Sequence, residues 1–335
     1  FEGGGACWDY QTCLYKEKPE ISDGRGIFDD TNTLNPFQDY DLVVIPYCTW
    51  DLHWGSLTVE YLRPTATPGA LAMNEPTPTS GPDSLTVHHQ GFRNADAVLE
   101  WVYEKFKEPT SIVIVGISAG SLGAILHTPY IMDRYRNSTA QILHIGDSGV
   151  LFPQEADLKK QYEALDHFTG APLKVSHTTY VTGTNGIDLA AFYAAVANSY
   201  PNHRFALFNF VRDCVQIGVY ERYYEPTRGL KKIMKDPESR GLIKNAVGSI
   251  HDLVDSKAGN FYSYTETSAD CVASSTSTAG YACKIDGGPI YNNRCHCILG
   301  SDRFYELEVA QGMNGVSLLQ WVSVLVGNGQ GASPP

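Results

Sequence analysis

The chain has 335 residues, of which 43% are hydrophobic and 19% are charged, so its composition is that of a globular protein rather than a disordered one. The formal net charge is −12 and no dense cluster of Lys and Arg occurs, which argues against nucleic acid or an anionic membrane surface as a partner. No stretch approaches the roughly 20 apolar residues that cross a bilayer, so we expect no transmembrane segment.

Short β-branched runs alternate along the chain with helical patterns, and this alternation indicates a mostly parallel α/β sheet with helices on both faces. The predicted strands are Asp41–Pro46, Ser111–Val115, Gln141–Ile145 and Arg204–Phe210. The predicted helices are Asn94–Phe106, Leu122–Tyr135 with an interruption or kink at Pro129, Gln154–Phe168, Ile187–Asn198 and Val316–Val326. Residues Arg63–Leu85 are rich in Pro, Thr and Gly and predict a surface excursion.

The cysteines lie toward the two ends of the chain, at Cys7, Cys13, Cys48, Cys214, Cys271, Cys283, Cys295 and Cys297. An even number without a Cys-x-x-Cys pair favours disulfides in an oxidising compartment, so we expect a secreted protein. Cys7 and Cys13 predict a small closed loop, and the last four cysteines are expected to staple a loop-rich segment. We interpret residues 1–335 as one domain, with Gly259–Ile290 as a disulfide-pinned insertion that continues to residue 298.

A nucleophile is predicted in the run Gly116-Ile117-Ser118-Ala119-Gly120. In a Gly-x-Ser-x-Gly pattern, small residues permit a sharp strand-to-helix turn that lifts the serine above the sheet. The pattern alone is weak, and its alternative is a structural Gly/Ser turn. Here it follows an uncharged predicted strand and precedes a predicted helix, so we expect Ser118 to be a catalytic nucleophile.

The acid of such a site follows the serine along the chain, and the histidine comes last. Asp213 lies just past the Arg204–Phe210 strand, where open α/β sheets place functional groups, and is the first candidate. Its alternative role is to cap the next helix. Asp147 and Asp188 compete with it, although the sequence around Asp147 is more typical of a packed turn.

The candidate base is His296, the only histidine after His251. Flanking disulfides would hold its loop at the fixed geometry that a general base needs. The alternatives are a surface histidine or a metal ligand, but adjacent Cys-His-Cys residues cannot easily converge on one tetrahedral ion. His251 is the reserve candidate, in a helical pattern. We therefore expect no metal and no cofactor.

The run Glu2-Gly3-Gly4-Gly5 is the second informative motif. Consecutive glycines let backbone N–H groups point at one spot, which suits the negative oxygen of a tetrahedral intermediate. With the N–H of Ala119, the residue after the nucleophile, Gly4 and Gly5 are expected to form an oxyanion hole. Taken alone, a glycine run is equally typical of a flexible terminus.

With these motifs in place, the chain resembles the pectin acetylesterase family. The segments that carry the resemblance are Glu2–Trp8, Pro46–Gly55, Gly116–Gly120, Asp147–Gly149 and Cys295-His296. The resemblance implies an α/β-hydrolase fold, hydrolysis of carboxylic esters, and a triad of Ser118, Asp213 and His296. The chain departs from the family at Ala6, where members carry a bulky residue near the glycine run.

Three further residues are expected beside the oxyanion loop, because they follow the predicted strand that ends at Pro46. Asp51, His53 and Trp54 could line the substrate pocket. The alternative is that Asp51 and His53 brace the loop by hydrogen bonding. His88-His89, which precedes a predicted helix, is interpreted as structural.

Together these inferences predict a secreted, monomeric serine carboxylesterase that works through an acyl-enzyme and whose partner is its ester substrate. The resemblance implies that the substrate is an acetylated polysaccharide, although a net charge of −12 argues mildly against strongly anionic pectate. The alternatives are a lipase-like or short-chain esterase acting on fatty-acyl esters, and a non-catalytic secreted binding protein on the same scaffold. A binding protein has no need of a serine elbow, a glycine run and a correctly ordered histidine together.

Overall fold

The computed structural model describes residues 1–14, 24–63, 81–150, 174–175, 178–179, 189–211, 213, 215–217, 241–254, 259–266, 282–283, 291–292, 296–301, 303–306 and 316–327. Three features of the sequence analysis lie outside them: the helix Gln154–Phe168, most of the excursion Arg63–Leu85, and the competing acid Asp188. Cys214, Cys271 and Cys295 also lie outside.

Within these residues, the strands are β1 Thr58–Leu62, β2 Ser84–His88, β3 Ser111–Ile117, β4 Gln141–Asp147, β5 Lys174–Val175, β6 Thr178–Thr179, β7 Arg204–Phe210, β8 Phe261–Glu266, β9 Ala282–Cys283 and β10 Tyr291–Asn292. The helices are α1 Tyr10–Leu14, α2 Gly91–Lys105, α3 Ala119–Arg134, α4 Leu189–Ser199, α5 Leu242–Leu253, α6 Arg303–Glu306 and α7 Leu318–Val326, with a 3₁₀ turn at Gly26–Phe28. None of the helices described has the length and apolar character of a membrane span.

The central sheet is parallel, in the order β3-β4-β7-β8. Its register places Ile117 beside Asp147 and Asp147 beside Phe208, so the carboxyl ends of β3, β4 and β7 meet along one edge. Functional groups of open α/β sheets collect at this edge. The predicted α/β class is confirmed, and so is the α/β-hydrolase-like layout with helices around a parallel sheet.

Alternate side chains of the inner strands enter two separate apolar cores, one on each face of the sheet. On β7, Phe205 and Leu207 pack into the core that contains α2, α3, α4 and α5, whereas Phe208 and Phe210 pack against α6 and α7. Because both faces of the sheet are covered, β7 is a continuous apolar run, and that run is the pattern from which the sequence predicted a strand. All six residues from Phe205 to Phe210 are buried.

Two of the predicted helices show what fixes their ends. Helix α7 begins after a capping box, in which the Ser317 hydroxyl accepts from Gln320 N and the Gln320 side chain accepts from Ser317 N. Helix α3 runs from Ala119 to Arg134 as one element, so it is not interrupted at Pro129, whereas a kink there stays a prediction. Its nearly complete burial on the sheet supplies packing energy that outweighs the missing proline N–H.

The predicted buried strand Asp41–Pro46 was also wrong. The segment is extended but carries no strand ladder, and Leu42 is 59% exposed. The N-terminal residues lie between this segment and β3 instead. Glu2 N donates to Ile45 O at 3.2 Å, and Ile117 N donates to Phe1 O at 3.2 Å. This insertion brings the glycine run to the end of β3.

The predicted start of the insertion at Gly259 was wrong, because Phe261–Glu266 is the fourth strand of the central sheet. Of the expected disulfides, Cys7–Cys13 is present, with a Cα–Cα distance of 4.7 Å. Cys297 has a free thiol, so the expected staple does not include it, and Cys48 is free as well.

Candidate active site

Ser118 occupies the turn between β3 and α3, with φ 55° and ψ −123°. A non-glycine residue is rarely held at positive φ, and a serine so held projects from the sheet edge. The Ser118 N–H donates to Asp147 O at 2.7 Å, which ties the turn to the end of β4.

The two glycines of the elbow are required by close backbone contacts. A Cβ on Gly116 would overlap the Gly120 carbonyl, and a Cβ on Gly120 would overlap the Phe1 carbonyl. The pattern therefore allows both the sharp turn and the approach of the N-terminal run to Ser118.

His296 bridges Ser118 and Asp213. Its Nε2 lies 2.8 Å from Ser118 Oγ, and its Nδ1 donates to Asp213 Oδ2 at 2.7 Å. The imidazole is 11% exposed and the carboxylate is fully buried. The structure thus brings together the three residues that the sequence analysis named, although they are separated by up to 178 positions.

Asp213 follows β7 directly and accepts hydrogen bonds on both carboxylate oxygens. Oδ1 accepts from Val215 N at 3.0 Å and from Gln216 N at 3.1 Å, and Oδ2 accepts from Gln216 Nε2 at 2.8 Å. Capping a helical turn and holding His296 were alternatives in the sequence analysis, and the same side chain does both.

The charge of Asp213 sets the protonation behaviour of His296. Burial by itself would lower the pKa of His296, but the Asp213 carboxylate, together with Cys297, outweighs it and holds that pKa well above the usual 6.5. Protonation at Nε2 is therefore favoured by an acid that cannot leave the site, since it is locked by Gln216 and the backbone.

Asp147 and His251, the competing candidates for the acid and the base, have other hydrogen-bond partners. Asp147 accepts from Leu299 N at 2.8 Å and from the Ser148 hydroxyl at 2.7 Å, and its carboxylate does not bond His296. His251, the reserve base, lies on α5 and contacts Ser263 of β8 at 2.8 Å.

The glycine run lies directly against Ser118. A Cβ on Gly3 would lie 2.8 Å from Ser118 Cβ and would overlap the Ile117 carbonyl oxygen. Gly4 and Gly5 have φ values of 147° and 73°, in the region that favours glycine, and both are exposed. Ala119 is buried at the start of α3.

The expectation that Asp51, His53 and Trp54 line a substrate pocket was wrong, because all three are at most 1% exposed. The alternative, that they brace the loop, is what their contacts show. Asp51 accepts from Gly91 N at 2.8 Å, and His53 Nε2 donates to Glu2 O at 2.7 Å.

The two neighbouring histidines are structural, as interpreted from the sequence. His89 is buried and its Nε2 lies 2.9 Å from the Tyr61 hydroxyl, whereas His88 pairs with Thr58 across β1 and β2. Within the described parts of the chain, no group of three His, Cys, Asp or Glu residues is arranged to bind a metal ion.

Sequence reasoning missed the residue that locks the acid. Gln216 connects Asp213 to the turn after β4, since its Oε1 accepts from Val150 N at 2.8 Å. Its spacing from Asp213, three residues after a capping aspartate, is the signal that could have identified it.

Comparisons with known proteins show the family and the fold. A sequence model of the family described as Pectinacetylesterase matches residues 1–180. A crystal structure of the Wnt deacylase Notum from Drosophila has a TM-score of 0.53 at 14% identity, covering 98% of this chain and 82% of that one. A second crystal form of it has a TM-score of 0.50 at 13% identity, covering 98% and 83%.

At these identities, the structural likeness establishes the fold alone. No curated protein sequence matches the chain. The family match is of a different kind, because it spans more than half of the 335 residues and includes both the glycine run and the serine elbow. The chain therefore belongs to the pectinacetylesterase family, a family of ester hydrolases.

Proposed function

We propose that the protein is a serine carboxylesterase with Ser118 as nucleophile, His296 as general base and Asp213 as the acid that orients it. One observation carries the proposal: a continuous hydrogen-bond chain of 2.8 Å and 2.7 Å links Ser118 Oγ through both nitrogens of His296 to Asp213. This is the arrangement that activates a hydroxyl, and a binding protein does not need it.

In the proposed reaction, His296 Nε2 takes the proton of Ser118 while Oγ attacks the ester carbonyl carbon. Collapse of the tetrahedral intermediate breaks the bond to the alcohol, which leaves with the proton from His296. A water molecule then attacks the acyl-serine by the same route, and the carboxylic acid is released. Asp213 stabilises the imidazolium that forms in both halves of the reaction.

The negative oxygen of each intermediate is assigned to the backbone N–H groups of Gly4, Gly5 and Ala119. Support comes from the contact of Gly3 with Ser118, which brings the glycine run to the nucleophile. Ala119 follows Ser118, at the N-terminus of α3, where the helix dipole also favours negative charge. Donors that are fixed before the reaction stabilise an oxyanion without any cost of reorganisation.

For the substrate we propose an acetylated polysaccharide. Two half-buried tryptophans, Trp8 and Trp50, border the small apolar cluster that contains Ala119, and indole rings of this kind stack on sugar rings. We also propose that the enzyme is secreted, which the Cys7–Cys13 disulfide supports.

Labelling with a fluorophosphonate probe tests the nucleophile. We expect a single adduct, located on Ser118 by peptide mass spectrometry and absent from Ser118→Ala. Ser249→Ala is the matched control, since Ser249 is a half-buried serine of α5 whose hydroxyl donates to Asn245 O of the same helix, and its label should equal that of wild type. An unlabelled Ser118 in the folded protein overturns the proposed mechanism.

A panel of p-nitrophenyl esters from acetate to long acyl chains, beside acetylated xylan and acetylated pectin, tests the substrate. We expect turnover of the acetyl esters and acetate release from at least one polysaccharide. Turnover of long-chain esters alone would reject the deacetylase while keeping the esterase.

A further inference from the structure

The turn Asp147-Ser148 at the end of β4 forms hydrogen bonds both to Ser118 and to the loop that carries His296. The proposed reaction gives this turn no role. The Asp147 carbonyl accepts from Ser118 N at 2.7 Å, on the nucleophile side. Its carboxylate accepts from Leu299 N at 2.8 Å, three residues after His296.

Ser148 completes the connection. Its hydroxyl donates to Asp147 Oδ1 at 2.7 Å and accepts from Cys297 N at 3.1 Å. Its own N–H donates to Phe208 O of β7 at 2.9 Å, so the turn is fixed to the sheet as well. The residue immediately after His296 is therefore held by the same turn that holds the serine elbow.

We propose that Asp147 and Ser148 are positioning residues that set the distance between His296 and Ser118, by clamping the backbone of the histidine loop to the nucleophile turn. The inference rests on the proposed function and extends it to two residues that touch neither substrate nor reacting atoms.

Backbone strain explains why such a clamp is needed. Ser148 and Cys297 have φ values of 57° and 62°, and neither is glycine. Such conformations persist only where surrounding contacts over-determine them. The bond from Cys297 N to Ser148 joins these two strained residues directly, and Asp147 and Ser148 are both at most 1% exposed.

The clamp also carries a charge. Burial raises the pKa of Asp147 to about 6, against the lowering effect of the Leu299 N–H and the Ser148 hydroxyl. The titratable groups that act on it are His296, which lowers this pKa, Asp213, which raises it, and the neighbouring Cys297 thiol. Acidification through this range protonates an acceptor of the clamp, so the histidine loop loosens.

The test compares Ser148→Ala and Asp147→Asn with wild type on p-nitrophenyl acetate. Because misplacement of a catalytic group by about 1 Å lowers rates about 100-fold, we expect kcat to fall about 10- to 100-fold in Ser148→Ala, with KM within about twofold. In wild type, protonation of Asp147 should add to the loss of kcat that His296 causes on acidification, and in Asp147→Asn we expect this additional loss below about pH 6 to disappear. Asn260→Ala is the matched control, a buried polar residue that bonds Ala197 O and Tyr200 O at 2.9 and 3.2 Å, and its kcat and pH profile should match wild type.

A second readout does not depend on turnover. The His296 Nδ1–H should give a downfield proton resonance that is sharp in wild type and in Asn260→Ala, and broadened by solvent exchange in Ser148→Ala. A sharp resonance with wild-type kcat in Ser148→Ala overturns the clamp. If wild type hydrolyses no ester and Ser118 takes no label, the proposed function fails, and the resonance alone then decides whether the clamp exists.

Discussion

The two sides of Ser118 are held in place by different kinds of interaction. On the histidine side, polar side chains converge, and Asp213 alone accepts hydrogen bonds from Val215 N, Gln216 N, Gln216 Nε2 and His296 Nδ1. On the glycine side, the backbone of Glu2 is held by His53, which stacks on Tyr47 with ring centroids 4.6 Å apart.

This difference follows from what each side must do. An imidazole that gains and loses a proton needs a fixed negative charge and donors that keep that charge ionised. In the proposed reaction, the oxyanion donors of the glycine side undergo no ionisation and need only rigidity, which the stacked rings of His53 and Tyr47 supply. His53 is accordingly neutral, since burial lowers its pKa to about 3. The same holds for His127, whose Nε2 donates to His53 O at 2.7 Å and whose pKa burial lowers to about 4.

Removing the charge on the histidine side should give the largest effect. Asp213→Asn keeps the shape of the acid but withdraws the carboxylate that raises the pKa of His296, so the acid limb of kcat/KM should move to lower pH. We expect kcat to fall about 10⁴-fold, the loss typical of a triad acid replaced by its amide. Both kcat and kcat/KM are measured as a function of pH with p-nitrophenyl acetate as substrate.

The matched control is Asp252→Asn. The Asp252 carboxylate raises the pKa of His251, as Asp213 raises that of His296, but His251 lies outside the site. Its profile should coincide with that of wild type. An acid limb in Asp213→Asn at the wild-type pH would contradict the assignment of Asp213.

Steric change on the glycine side should come next. Gly3→Ala places a Cβ 2.8 Å from Ser118 Cβ and against the Ile117 carbonyl, so the run must shift away from the nucleophile. Loss of one oxyanion donor lowers kcat by about 10²–10³-fold, and we expect a fall of that order, measured with p-nitrophenyl acetate. Gly248→Ala is the control: its Cβ meets nothing within 4 Å in α5, so kcat should not change and the free energy of unfolding should rise by about 1 kcal/mol. Equal kcat in the two variants would contradict the assigned position of the run.

The polar side was more predictable from the sequence than the glycine side. The structure brings together Ser118, Asp213 and His296, and the sequence named them because each has a local sign: a glycine elbow after a strand, an acid just past a strand, and a late histidine. Chain order then linked them without any knowledge of distance.

Asp51, His53 and Trp54 were misassigned because the direction of a side chain depends on backbone angles that residue type alone does not reveal. Trp50, Leu52 and His53 have φ values of 47°, 59° and 56°, a region that L residues rarely adopt, and these angles turn the side chains inward. Residue type alone fitted a pocket and a buried brace equally well.

Strands that depend on a distant partner were also missed or misread. Asp41–Pro46 has the composition of a strand, but the neighbour that fills its edge is Phe1-Glu2, which blocks a ladder with β3. Phe261–Glu266 was hidden because the segment around it is Ser/Thr-rich, and averaging over that segment obscured its alternating aromatic residues.

The smallest expected effect comes from His53→Phe. This variant measures separately how His53 affects kcat and how it affects the free energy of unfolding. His53→Phe keeps a ring against Tyr47 but removes the 2.7 Å hydrogen bond to Glu2 O, so we expect kcat to fall about 10-fold, which corresponds to about 1.4 kcal/mol of lost positioning. Burial lowers the pKa of His53 in the folded protein to about 3, so its contribution to stability is present above pH 6.5 and declines as the pH falls below it. At pH 5, about 1.5 units below the unfolded pKa, wild type should have lost about 2 kcal/mol that the variant retains. Urea unfolding at pH 8 and pH 5 measures this, and an equal loss in both proteins would show that His53 is not held neutral.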